Sequence, residues 1–452
     1  HPVIAVYVVY AEEVETIYPH IMMLYASLCP LSVYAQEAAR QTMSIEEMFS
    51  LADQNSKSLR PCATGISEAH EGVRVAKNAR LPEIEASLSF SYLGDALLTD
   101  RNFSNGSNAS MPHYGNNFAI EATQVVYAGG AITNSIAIAR LQEEMARLNL
   151  DTSRDKVRFL LIGYYLDLFK QQNMLQVYEK NIEQTKQVIG ELHAKEAEGV
   201  VLKNDITRYE LLLANLELTR TQIENTISIL NNNLTTSLGL PENVSIQPDT
   251  TILSKALPVE AKENWTTAAY ANSPVLKQMS LAVQMSRHQQ KITRSERIPK
   301  VALFAGNKLD GPITIEVPPI NKNLNYWYVG VGVKYNFSSL FKADKAVARD
   351  KFAIRRSTEQ YEDAKEQTEL AVNAGQVKYL ETYVELNTQR KSVELANLNY
   401  AVIRDRYKND MALITDMLDA SNSKLAAEVQ LVNAQINIVF NYYKLLYISG
   451  TI

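Results

Sequence analysis

The chain has 452 residues, with 45 Lys and Arg against 50 Asp and Glu, a net charge of −5. That balance and the lack of any Lys/Arg-rich block exclude a nucleic-acid binder, whose surface must displace counterions from phosphates. Hydrophobic residues make up 46% and charged ones 21%, yet past residue 40 no run of about 20 uncharged apolar residues occurs, which excludes a helical membrane span in the mature chain.

In chain order, residues 21–35, IMMLYASLCPLSVYA, read as the apolar part of an export signal cleaved after Ala35, although the stretch before them is apolar and acidic where a basic segment is expected. Cys29 would leave with that segment and Cys62 would then stand alone, so no disulfide framework is expected. Leu28 directly before Cys29 fits a lipid-attachment site poorly.

From Ser44 the pattern predicts a helix of about 35 residues, with Ser44 as N-cap and Glu47 as its capping-box partner. It ends at Arg80-Leu81-Pro82, because the residue before proline is pushed out of the helical region. Next comes strict alternation. Ile84, Ala86, Leu88, Phe90 and Tyr92 share one face, and Glu83, Glu85, Ser87, Ser89 and Ser91 the other, which is a strand with one apolar and one wet side. On that pattern Glu83 and Glu85 belong to a solvated strand face and not to a catalytic carboxylate pair. A polar loop leads to a second alternating segment with Phe118, Ile120 and Ala122 on its apolar side, giving a predicted hairpin over 82–128.

A proline-free helical tract follows, with Leu168, Leu175, Ile182 and Ile189 recurring every seven residues. After a turn, Ile206, Tyr209, Leu213, Leu216 and Ile223 continue the apolar seam, giving a helical hairpin over 131–239. A helix of roughly 65 residues is a rod of about 100 Å, too long for a compact core, so it must lie beside neighbours.

The order then repeats. Asn55, Arg80 and Pro82 meet Asn272, Arg297 and Pro299 at a constant offset of 217 positions, and Asp205 and Gly239 meet Asp416 and Gly450 at 211. The predicted organisation is a signal-like segment over 1–35, a first repeat over 44–239, a linker over 240–261, and a second repeat over 262–450. The second repeat has its own hairpin over 299–337 and helical hairpin over 341–450. In its hairpin Trp327, Val329, Val331 and Val333 alternate with Tyr328, Gly330, Gly332 and Lys334. The cluster Tyr326, Trp327, Tyr328 suits a membrane interface, where aromatic rings sit at headgroup depth.

The predicted fold class is therefore mainly α with a β-barrel portion. Four strands per chain would leave two unpaired edges in hydrocarbon, so closure requires several chains. Three would give twelve strands around a wet lumen, alongside an α-barrel of long coiled-coil-like helices.

Helix, Arg-x-Pro, hairpin, long helix, turn and long helix, in duplicate over 44–450, resembles the TolC-type outer-membrane factors. The local signatures are QVVYAGG at 124–130, EGVVLKNDITRYELLLA at 198–214 and LITDMLDASNSKLAAEVQLVNAQ at 413–435. The resemblance implies a homotrimer in the cell outer membrane with a long periplasmic tunnel, exporting substrates for a periplasmic adaptor and inner-membrane pump or for a type I secretion system. It implies no enzyme activity, cofactor or nucleic-acid partner. Asp416 and Asp419 match the carboxylates that ring the entrance, where they would concentrate cations, although Asp in a first helical turn is also favoured as a cap. Asp205 and Tyr407 match gate positions. The arginine that partners the former in the family is replaced by Ala412, leaving Lys408 or Arg406 as candidate cations. Gly199, Val200, Val201 and Leu202, with Asp410, Met411, Ala412 and Leu413, would form tips that dock the adaptor, or would pack beneath their own turns.

The six histidines are scattered and no metal-ligand spacing or nucleophile motif occurs. Two other readings compete: a coiled-coil scaffold without a pore, disfavoured by matched apolar strand faces in both halves, and a stand-alone porin, disfavoured by the long helices.

Overall fold

The computed structural model describes residues 39–249, 251, 257–316, 318–409 and 411–452; the signal-like segment over 1–35 and Asp410 lie outside the described residues. Strand β1 (Ala39–Met43) leads into helix α1 (Ile45–Asn55) through the capping box read from sequence, with the Glu47 amide donating to Ser44 Oγ at 3.2 Å and the Ser44 amide to Glu47 Oε2 at 2.9 Å.

The single helix expected up to Arg80 is two. Helix α1 stops at Asn55 and α2 (Arg60–Asn78) starts with Pro61 in its first turn, where the missing N–H costs nothing. The second repeat breaks at the matching place, between α5 (Lys262–Asn272) and α6 (Pro274–Ser295). There Ser273 sits at ψ 115°, held out of the helical region by Pro274.

Four strands form one antiparallel sheet in the order β2 (Glu83–Tyr92), β5 (Tyr114–Tyr127), β7 (Lys300–Gly311), β8 (Leu324–Lys334). A small separate pair, β3 (Ala96–Leu98) and β4 (Ser107–Ala109), lies within the loop joining β2 to β5. Helix α3 (Ala131–Ala197, 67 residues) folds back into α4 (Lys203–Leu238), and α7 (Ser339–Lys408, 70 residues) into α8 (Ile414–Ser449). The long rods span about 100 Å each.

Nearer the sheet the helices pack side by side in the order α2, α3, α6, α7; farther away the order is α4, α3, α8, α7. Every strand of the main sheet runs directly into or out of one helix of the first row, so strand order and helix order coincide. The result is a strip four elements wide. Both long edges, β2 with α2 and β8 with α7, have no partner among the described residues.

A belt core joins the two rows. Met43, Met48, Leu161, Leu168, Leu234, Trp265, Tyr379 and Leu445 are buried there. The stretch 240–261, expected as plain linker, contains strand β6 (Val244–Pro248), which pairs in parallel with β1 from Ala39 opposite Val244 to Met43 opposite Pro248. Tyr165 on α3 fixes this strap: its hydroxyl donates to the Met43 carbonyl and accepts from the Asp249 amide, both at 2.8 Å.

Glycine ends each helical hairpin. Gly239 and Gly450 share φ 68°, a conformation that L side chains rarely adopt, and each sits against the break in its own repeat, near Asn55 and near Asn272–Ser273. The Asn55 side chain donates to the Leu238 carbonyl at 3.0 Å, tying break to cap.

Candidate functional site

Alternation along the strands gives the sheet two chemically different faces. Ile84, Leu88, Phe90, Trp327, Val329, Val331 and Val333 stand exposed on one, Trp327 at 74%. The other carries Glu83, Glu85 and Ser87 beside Glu121, Lys308 and Tyr328, as the cross-strand register Glu85–Glu121–Gly306–Tyr328 requires. Lys308 Nζ lies 2.9 Å from Glu121, whose Oε1 also accepts the Tyr328 hydroxyl proton. Phe304 lies over Gly330, where a Cβ would meet its ring at 2.5 Å.

The same alternation divides the aromatic trio between the two faces. Consecutive strand residues cannot share a face, so Trp327 alone lies on the apolar side while Tyr326 and Tyr328 lie on the polar one, 6.3 Å apart between rings.

At the far end of the strip the two helical turns meet over a second core of Val188, Leu192, Ile206, Tyr209, Tyr407 and Met417. Gly199 turns the chain at φ 78°. Val201 and Ala412 pack against this core, whereas Val200, Leu202, Met411 and Leu413 project outward, the last three at 69–73% exposure. Asp410 falls outside the described residues.

Asp205 and Asp416 occupy the first turns of α4 and α8. Asp416 is exposed, and its carboxylate accepts the Leu413 amide at 3.0 Å, so it caps its helix. Asp419 stands exposed one turn on. Tyr407 is buried, with Lys195 of α3 placing Nζ 4.6 Å from its ring centroid, while Lys408 reaches toward Glu191 at 3.9 Å.

A buried polar group went unread in the sequence. Lys424 on α8 is 5% exposed, donates to Gln184 Oε1 at 2.9 Å and lies 4.8 Å from the Tyr400 ring; burial holds its pKa below the usual lysine value. Nearby Asn181 donates to Glu428 at 3.0 Å. The available signal was a polar set, Asn181, Gln184, Lys424 and Glu428, interrupting an otherwise apolar seam.

No helix among the described residues is long and apolar enough to cross a membrane, and no three His, Cys, Asp or Glu side chains gather as metal ligands there.

Residues 265–451 match the family model described as outer membrane efflux protein. The chain is similar to the outer membrane efflux protein BepC of Brucella suis biovar 1, at 20% identity over 407 residues, covering 88% of this chain and 83% of that protein. Among solved structures it is similar to the outer membrane protein VceC of Vibrio cholerae, with a TM-score of 0.74, 14% identity, and coverage of 90% and 96%. It is also similar to the open MtrE outer membrane channel of Neisseria gonorrhoeae, with a TM-score of 0.71, 14% identity, and coverage of 90% and 88%. At these identities the likeness establishes a shared fold.

Proposed function

We propose, from the match of residues 265–451 to the outer membrane efflux protein model and the fold shared with VceC over 90% of the chain, that three copies form an exit duct that passively conducts substrates out of the cell. It resides in the outer membrane and extends far into the periplasm. There it receives cargo from an adaptor and inner-membrane pump, or from a type I secretion system.

The coincidence of strand order and helix order, with both edges free, carries this reading. Hydrocarbon leaves no backbone donor unpaired, so a membrane sheet of four strands must close on further copies. β8 and β2 run in opposite directions, so β8 of one copy continues the antiparallel ladder onto β2 of the next. The apolar face then meets lipid, and Glu83, Glu85, Glu121 and Lys308 line water. The same closure would turn the helical rows into a tube ending at the tips.

At those tips, Asp416 and Asp419 would ring the aperture, Asp205 and Tyr407 would hold it closed, and Val200, Leu202, Met411 and Leu413 would meet the adaptor. A pore-free scaffold would have no use for an exposed apolar sheet face on a polar-backed strand set.

The test is the purified full chain in detergent, its mass measured by light scattering and its conductance in a planar bilayer. A trimer that forms discrete ionic channels supports the duct; a monomer without conductance refutes it.

A further inference from the structure

The trimeric duct leaves open which residues join one copy to the next below the membrane, and the two edge helices answer it. Opposite its contact with α6, helix α7 presents Phe341, Lys345, Phe352, Arg356 and Glu359, spaced as one helix face and all exposed, Phe341 at 80% and Phe352 at 70%. Opposite Ala69 and Val73, which face α3, helix α2 presents Arg60, Thr64, Ser67, Glu71 and Val75, again one exposed face.

The chain itself holds a template for how such faces meet. Between the repeats, α3 lies beside α6 with His288 Nδ1 2.8 Å from Asn134 Oδ1 and Gln278 Nε2 2.9 Å from Asn149 Oδ1. The repeat carries α6 onto α2 at the offset of 217, so His288 maps to Glu71 and Gln278 to Pro61. Matching the first and last residues of α3 and α7 carries Asn134 to 342–345 and Asn149 to 357–360. In that register unlike charges meet and apolar groups meet.

We propose that the α2 face of one copy seats the α7 face of the next, with Lys345 against Glu71, Glu359 against Arg60, and Phe341 on Val75. The inference rests on the trimeric reading. Among the described residues Glu71 reaches Arg74 of its own helix, at 2.9 Å, and Glu359 reaches Arg355, at 2.8 Å, each through one oxygen, so each keeps a carboxylate oxygen for the partner. Because α2 and α7 lie at opposite edges of one strip, a covalent bond between them reports a contact between copies.

The experiment uses the full chain with Cys29→Ser and Cys62→Ser, carrying Glu71→Cys and Lys345→Cys, under mild oxidation. A non-reducing gel should show covalent trimer. The pair Glu71→Cys with Phe352→Cys, displaced by two helical turns and beyond the ~7 Å reach of a disulfide, should give almost none. In parallel, Lys345→Glu should lower the temperature at which the trimer dissociates, and Glu71→Lys in the same chain should restore it. A trimer by light scattering that neither cross-links at 71 and 345 nor regains stability on charge exchange overturns the seam and leaves the duct standing. A monomer by light scattering overturns both.

Discussion

Asp416 is asked to do two things, and two substitutions separate them. As a cap it accepts the Leu413 amide at 3.0 Å; as an aperture group it would contribute one of three equivalent charges around a threefold axis. Asp416→Asn keeps an acceptor oxygen and removes the charge, whereas Asp416→Ala removes both. For an axis about 8 Å from each carboxylate, one charge in a water-like dielectric shifts a monovalent ion by about 0.5 kcal/mol, and three by about 1.5. Screening at 0.1 M salt, with a Debye length of about 10 Å, roughly halves that. A cation gains this amount and an anion loses it, so the two together amount to about 1.4 kcal/mol, a tenfold factor in relative permeability. Reversal potentials across a KCl gradient should therefore show cation preference falling about tenfold in Asp416→Asn, further with Asp419→Asn, and the difference should fade near 1 M salt. Asp416→Ala should show the same loss plus faster amide exchange over the first turn of α8, since losing a cap costs about 0.5–2 kcal/mol. Selectivity unchanged in Asp416→Asn at low salt would refute the ring and leave the cap as the residue's whole role.

Tyr165→Phe keeps the buried ring but removes the hydroxyl's two bonds, leaving the Met43 carbonyl and the Asp249 amide only their mutual bond at 3.3 Å; each bond lost costs about 0.5–1.5 kcal/mol, and amide exchange in β1 and β6 should rise accordingly. The wild-type hydroxyl, pushed up to about pKa 12 by burial, stays protonated as donor throughout the working pH range. On α7, Gly375→Val should lower stability by about 1–3 kcal/mol through overpacking, because even a Cβ there meets Leu445 Cδ2 at 2.9 Å. Gly375→Ala should be close to neutral by urea titration, its helix propensity of about 1 kcal/mol offsetting the shift of flexible side-chain ends. His288, beside Asn134, has its pKa lowered by burial and then by Lys291. Its unfolded form therefore binds a proton first as pH falls below the ordinary value near 6.5, and stability should drop until the folded pKa is passed. In His288→Gln that part of the pH dependence should vanish from thermal unfolding curves.

Much of the architecture was written in local chemistry. A period of two with one apolar face specifies a half-wet strand wherever it occurs, and the Ser44–Glu47 box sets a helix start without tertiary help. The offset between repeats foretold that Gly239 and Gly450 do the same job before either φ was known. What escaped depends on long-range pairing. β1 and β6 are five residues each, partly polar, and become a sheet only when brought side by side across most of the first repeat. The break after Asn55 is stabilised by a bond to Leu238, which no local window contains. Lys195 on Tyr407 and Lys424 on Gln184 likewise join residues from different halves, so their spacing along the chain does not say which residue meets which.

The equivalence of the two repeats has a further consequence for the wall they build. Its six boundaries between half-chains would be alike in geometry, yet three are crossed by continuous polypeptide after the β6 strap and three join separate chains without a covalent link. Cutting the chain between Pro248 and the second repeat would thus convert a cylinder of three staves into one of six without changing any surface that faces lipid or cargo.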